Sequence, residues 1–125
     1  PLVLVTGDLA YYHDTNGLLA LDRFGLDATI VLINNDGGGI FHLLPIEAHD
    51  TFEGYFRTPH GLDFSATADL HSLSFARTST REGFREAYAA SLDQSGTQVI
   101  EVRFDSDASH GVREQVQSRV EEELL

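Results

Sequence analysis

The feature that most constrains this chain is its first third, PLVLVTGDLAYYHDTNGLLALDRFGLDATIVLINNDGGGIFHLLP, which reads as strand, helix, strand with a polar turn closing each strand. Leu2 to Val5 is an unbroken apolar run ending in Thr6-Gly7-Asp8. Thr29 to Ile33 is a second, ending in Asn34-Asn35-Asp36 and the glycines Gly37, Gly38 and Gly39. Continuous β-branched runs of this length suit strands buried on both faces, as in a parallel sheet. The spacing between them predicts a helix with Asp14 as N-cap and Gly25 as the residue just past its end.

That order has a chemical consequence. In a βαβ unit the two strands point the same way and are usually neighbours. Asp8 and Asn35 then leave the carboxyl edge of one sheet, where open α/β folds bind ligands. A carboxylate, an amide oxygen and backbone carbonyls are hard ligands suited to Mg²⁺, which completes its shell with water and phosphate oxygens. The three glycines let backbone come close to a bulky anion or to the metal. Each piece has a plainer reading: an acid at a strand end is common, glycine runs usually only turn the chain, and Asp14 with His13 need do no more than cap a helix.

Beyond Pro45 the chain reads as follows. Ile40-Phe41-His42-Leu43-Leu44 is an apolar segment packing under the loop, with Leu43 expected in the core. Residues 46–62 are polar and aperiodic, a long loop with room for one helical turn, and such loops often serve as lids or interfaces. His49 and His60 read as surface histidines, and the six histidines are too scattered to argue for zinc. A short helix follows Asp63, with Phe64, Ala68 and either Leu70 or Leu73 inward. Ser74–Arg77 is a third strand. Ser79-Thr80-Arg81-Glu82 has capping-box form, so residues 80–93 make an amphipathic helix with Phe84, Ala87, Tyr88 and Leu92 on its apolar face. Thr97 to Phe104 alternates like a half-covered edge strand. Ser109-His110-Gly111 opens a last helix with Val112, Val116, Val120 and Leu124 in one stripe, and Glu121-Glu122-Glu123 as a solvated face. The sum is an α/β fold: a mainly parallel sheet of about four strands (2–6, 29–34, 74–77 and 97–104) with helices on both faces, forming one domain over residues 1–125.

Twenty acids against eight bases, all of them arginine, leave a formal net charge of −12. Such a surface repels nucleic acid and anionic membrane. No apolar run approaches the roughly 18 residues that span a bilayer. The absence of cysteine excludes disulfides and thiolate metal sites. A cytoplasmic protein is the plain expectation, and acid excess without lysine hints at a salt-adapted source.

Gly7-Asp8 followed by Asn34-Asn35 resembles the thiamine diphosphate motif, which opens with Gly-Asp and closes with paired Asn about thirty residues on. The fuller string GDLAYYHDTNGLL…IVLINNDGGGIFHLLP is similar to the 2-succinyl-5-enolpyruvyl-6-hydroxy-3-cyclohexene-1-carboxylate synthase family of menaquinone biosynthesis. Asn34 to Pro45 is its most specific part, and Thr58-Pro59-His60-Gly61-Leu62-Asp63-Phe64 and Val99-Ile100-Glu101-Val102 also match. The resemblance implies a partial thiamine-diphosphate-binding fold, the C-terminal part of the diphosphate-binding domain. It implies that Asp8, Asn35 and the Gly37 carbonyl hold Mg²⁺ or Mn²⁺, that Gly7, Leu9 and Ala10 contact the diphosphate through backbone, and that Ile40 also touches the cofactor. Ile40, Phe41 and Leu44 would form the apolar wall of the substrate pocket, where dryness protects the reacting carbon from premature protonation.

In that family 2-oxoglutarate is decarboxylated and its four-carbon remainder is added to isochorismate. The activating glutamate and the substrate-binding arginines belong to parts this chain does not contain. The resemblance therefore implies an inactive fragment with no catalytic residue of its own, a missing pyrimidine-binding domain, a second subunit and homo-oligomeric assembly. Two other readings stay open: an acetolactate-synthase-like carboligase, and a non-catalytic α/β binding module.

Overall fold

A computed structural model describes residues 1–124, which divide into two compact units. The first comprises Pro1–Asn34 and Gly61–Arg103, the second Asn35–His60 and Phe104 onward.

The first unit is the sheet. Its strands are β1 (Leu2–Gly7), β2 (Ala28–Asn34), β3 (Ser74–Thr78) and β4 (Thr97–Arg103), all parallel, in the order β1-β2-β4-β3. Each predicted strand is present within one residue at either end. Ile30 and Leu32 of β2, with Val99 of β4 beside Ile30, meet Tyr11, Leu18, Phe64, Ala68 and Leu73 on one face. Tyr11 and Phe64 pack edge to face with ring centroids 5.4 Å apart. Burying each such side chain contributes about 1.5–3 kcal/mol. On the opposite face the Thr29 and Ser91 hydroxyls bond at 2.9 Å, and Ser91 in turn donates to the Tyr88 carbonyl. That contact seats helix α4 (Arg81–Leu92) there, so helices cover both faces as expected.

Several local expectations are corrected. The first helix starts directly after β1 as α1 (Asp8–His13), breaks into a 3₁₀ turn at Thr15–Gly17, and resumes as α2 (Leu18–Arg23). Asp14 is thus not the helix N-cap; it ends α1, its φ of −113° takes it out of helical geometry, and its side chain caps nothing. Gly25 does end the helix. With φ +58° it donates to the Asp22 carbonyl while the Leu26 N–H reaches Leu21, the paired bonds of a Schellman motif. The N-cap of α4 is Thr80, whose hydroxyl accepts from Gly83 N–H, one residue later than the Ser79–Glu82 box. In α3 (Ser65–Leu70) it is Leu73, just beyond the helix, that turns inward, whereas Leu70 is 77% exposed. On α4, Ser91 is buried where Leu92 was expected.

Two strands sit differently from their sequence reading. β4 is central rather than an edge, flanked by β2 and β3, and its Glu101 is fully buried. Its alternation reflects a buried ion pair, not a wet face. Conversely β1, expected to be covered on both sides, is an edge with Leu2, Leu4 and Val5 all more than half exposed.

The second unit is built from turns and one long helix. Gly39–Leu43 and Pro45–Ala48 are 3₁₀ turns, Glu53–Arg57 is a single π turn, and α5 (Ser106–Leu124) begins earlier than the sequence suggested. Asp105 supplies its cap, its carboxylate accepting from Ala108 N–H at 2.7 Å. The predicted stripe Val112, Val116, Val120 and Leu124 exists but is exposed along its length.

Candidate metal and diphosphate site

The carboxyl edge of the sheet is set by strand register. Gly7 pairs with Ile33, so β1 and β2 run out side by side. Gly7 is extended (ψ 162°) and hands the chain to α1 at Asp8, whose side chain is only 3% exposed and accepts from Leu9 N–H at 2.7 Å. Leu9 is half-buried and Ala10 exposed. Asn34 closes β2, and the next residue, Asn35, opens the second unit.

Within that second unit the glycine loop is held by close packing. Asp36 (φ +61°) and Gly37 (φ +124°) both take left-handed backbone. A Cβ on Gly37 would collide with the carbonyls of Arg57 and Thr58, one on Gly38 with the Phe56 carbonyl and the Phe41 ring, and one on Gly39 with Asn35 and Ser106. Gly38 N–H donates to Arg57 at 2.6 Å, and Asp36 accepts from His60 N–H at 3.1 Å. The Gly37 carbonyl accepts from Gly39 N–H at 3.0 Å. Asn35 lines a cleft of about 230 Å³ with Gly39, Ile40, Ser106 and His110.

The apolar residues after the loop divide. Ile40 is 69% exposed and Leu44 is also exposed, whereas Phe41 packs edge-on against Phe56 at 5.8 Å. Leu43, expected in the core, is exposed instead. His49 lies at the surface as expected, but the His60 side chain is only 12% exposed and sits 3.3 Å from the Asp36 carboxylate. Residues 46–62 hold two helical turns rather than an open loop.

Two constellations escaped the sequence reading. One is the buried Glu101, which accepts from Asn34 at 2.6 Å, from Arg103 at 3.0 Å and from Arg77, while Arg77 also reaches Asp63. Burial pushes the Glu101 carboxyl up, but the bonds from Arg77, Asn34 and Arg103 together hold it below the usual range. The Arg77 bond, helped by Ser65, brings Asp63 down to about 2. A glutamate inside a Val-Ile-Glu-Val run was the available signal. The other is a cluster of His42, Glu47 and His110, whose members lie too far apart in sequence to form a spacing motif.

A carboxylate, an amide and a peptide carbonyl are each hard oxygen donors of the kind a divalent cation accepts. Comparison with known proteins places the chain in a family. The family profile of the thiamine pyrophosphate enzyme, C-terminal TPP binding domain, matches residues 1–102. Proteins named 2-succinyl-5-enolpyruvyl-6-hydroxy-3-cyclohexene-1-carboxylate synthase are similar along most of the chain. That of Haloarcula marismortui is 66% identical over 124 residues, 99% of this chain and 21% of its own length. That of Roseiflexus castenholzii is 50% identical over 107 residues, 85% of this chain and 18% of its own. The chain therefore spans about a fifth of the length of such curated relatives. Among solved structures, the thiamine diphosphate-dependent 4-hydroxybenzoylformate decarboxylase of Rhodococcus jostii RHA1 superposes with a TM-score of 0.73 at 21% identity, over 82% of this chain and 19% of that one. Benzoylformate decarboxylase from Polynucleobacter necessarius gives 0.73 at 22%, over 85% and 20%. At that identity the likeness is one of fold.

Proposed function

This chain belongs to the thiamine pyrophosphate enzyme family through its C-terminal TPP-binding domain, and from that premise we propose that it is the metal- and diphosphate-binding portion of a longer thiamine-diphosphate-dependent transferase. The observation that carries the reading is the pair of adjacent parallel strands closed by Gly7-Asp8 and by Asn34-Asn35. The reaction we assign is decarboxylation of 2-oxoglutarate and addition of its four-carbon remainder to isochorismate, in menaquinone biosynthesis. The names and high identity of the relatives support it.

The ligand set we propose is Asp8, Asn35 and the Gly37 carbonyl, holding Mg²⁺ or Mn²⁺ against the cofactor's diphosphate. Backbone of Gly7, Leu9 and Ala10 contributes to that anion's seat. On a chain of net charge −12, the ion's own charge and peptide N–H groups must supply the positive field. Ile40, with Leu44 and Phe41, forms the apolar wall that excludes water from the reacting carbon; the exposure of Ile40 and Leu44 supports this, since both are open to contact from a ligand or further chain. Bound thiamine diphosphate supplies a nucleophilic carbon for the chemistry, and the protein's part is orientation and dryness.

The pyrimidine-binding domain and a second subunit complete the enzyme, so this portion alone has no turnover and contributes no catalytic residue. The whole works as a cytoplasmic homo-oligomer. No helix among the described residues is long and apolar enough to cross a membrane. The exposed apolar faces of β1 and α5 are what such assembly would cover.

Calorimetry on the intact protein tests the assignment. With saturating Mg²⁺, Asp8→Asn and Asn35→Ala should each weaken thiamine diphosphate binding at least about tenfold, a loss of about 1.4 kcal/mol or more, while melting temperature stays unchanged. Undiminished binding in both variants rejects the ligand set. Release of CO₂ from 2-oxoglutarate but not pyruvate separates this reaction from an acetolactate-synthase-like one.

A further inference from the structure

Within the second unit, on side chains outside the proposed diphosphate ligand set, three elements bring nitrogen and oxygen donors together. His42 comes from the 3₁₀ turn after the glycines, Glu47 from the next turn, and His110 from the first part of α5. One ligand atom from each lies within 4.8 Å of the other two. His42 Nδ1 is 2.7 Å from Glu47 Oε1, and His110 Nε2 is 3.5 Å from the same oxygen. The two imidazoles stack with centroids 4.9 Å apart and planes 23° from parallel, and Phe52 covers the His42 ring at 4.9 Å.

A second observation makes this more than a chance grouping. The His42 side chain is 8% exposed, and its Nε2 is buried without a hydrogen bond, the Asp107 carboxylate being 3.6 Å away. Buried polar nitrogens are rarely left so, because desolvation is not repaid. When a histidine ligates a metal through one nitrogen, its other N–H normally points at a carboxylate, which fixes the ring and strengthens the ligand. With Nδ1 toward the cluster, Nε2 faces Asp107 at 3.6 Å, a gap that a small movement of that exposed carboxylate closes to complete the arrangement.

We propose that His42, Glu47 and His110 form a binding site for a divalent transition metal of the Zn²⁺ class, independent of the diphosphate-bound cation. Two imidazoles and one carboxylate select such an ion, whereas Mg²⁺ takes oxygen ligands almost exclusively. Zn–N and Zn–O bonds of about 2.0–2.2 Å place tetrahedral ligand atoms about 3.3 Å apart. The Glu47–His110 separation of 3.5 Å already matches. The Glu47–His42 pair must open from 2.7 Å by about half an ångström, an easy swing for a carboxylate 40% exposed on a surface turn. Glu114 Oε1, 3.6 Å from His110 Nε2, or a water fills the fourth position. The ion would pin α5 to the turns that follow the glycine loop.

The test is titration of tag-free, chelator-stripped intact protein with Zn²⁺ and with Co²⁺ under excess Mg²⁺. One equivalent should bind per chain, Co²⁺ should show the intense visible bands of a tetrahedral site, and Zn²⁺ should raise the melting temperature. His110→Ala and Glu47→Gln should each weaken Zn²⁺ binding at least about tenfold. Asp8→Asn should leave the titration untouched, which keeps failure here separate from failure of the diphosphate reading. No stoichiometric Zn²⁺ binding, or binding equal to wild type in Glu47→Gln, overturns the proposal. Glu47→Gln decides the matter if His110→Ala does not fold.

Discussion

At the scale of single residues, the energetic centre of the sheet is a charge placed where an apolar side chain would be ordinary. Glu101 is fully buried in the middle strand, so its stability depends on Arg77, Asn34 and Arg103 all staying in place. Arg77 also holds the exposed Asp63, which makes it the shared partner of two carboxylates. Both acids titrate below their ordinary values of 4.5 and 3.8. A depressed carboxylate contributes stability that is complete above its unfolded pKa and is lost as pH falls toward its folded one. The pair therefore stabilises the fold above about pH 4.5, and that stability is lost as pH falls below it, the Asp63 share toward about pH 2. Arg77→Ala should cost about 1–3 kcal/mol at neutral pH through the Glu101 bond alone, and the acid limb between those values should become shallower. Urea unfolding across the pH range reads both effects. An unchanged limb would mean that Arg77 is not what lowers the two acids.

At the scale of elements, what the sequence made legible was whatever rests on apolar runs. All four strands fall within a residue of their predicted ends, because β-branched runs bounded by turn residues leave few other pairings. What it hid were the joints. Nothing in the string distinguishes Thr80 from Ser79 as a cap, or shows that α1 starts at Asp8 itself, since both are decided by backbone angles after packing. The alternation of β4 pointed to an edge because Glu101 and Arg103 look solvated; their partners Arg77 and Asn34 sit on other strands and are invisible locally. The histidine cluster was hidden for the same reason. The glycine loop lies between these cases: its composition was plain, but not that each glycine is required by a different neighbour. Gly38 has an ordinary φ of −79°, so alanine there meets no backbone strain, only the Phe56 carbonyl and the Phe41 ring. Gly38→Ala should thus cost about 1–3 kcal/mol by overpacking. Gly54→Ala, with open space around it, should be close to neutral. Thermal melts of the two variants side by side test whether contact, rather than glycine's freedom, keeps residue 38 small.

At the scale of the whole molecule, charge acts in a way that no single contact accounts for. A net of −12 on 125 residues means that most carboxylates have no basic partner, and their mutual repulsion opposes the compact state. The long helix shows it locally: α5 carries Asp107, Glu114, Glu121, Glu122 and Glu123 against Arg113 and Arg119, with three of the acids at the end where the helix dipole disfavours them. Added salt shortens the Debye length from about 10 Å at 0.1 M to about 3 Å at 1 M, and so removes repulsion between charges that do not touch. It has much less effect on the buried Glu101 bonds, which are shielded from solvent. The melting temperature should therefore climb between low and multimolar KCl, by roughly 4 °C for each kcal/mol recovered. The increment should shrink near pH 4, where many of the surface acids are neutral and there is less repulsion to screen. That second limb is what separates charge screening from a general salting-out of apolar surface such as the exposed β1 edge, because salting-out would persist at acid pH. A melting temperature indifferent to KCl at neutral pH would show instead that the acid excess is already balanced within the fold.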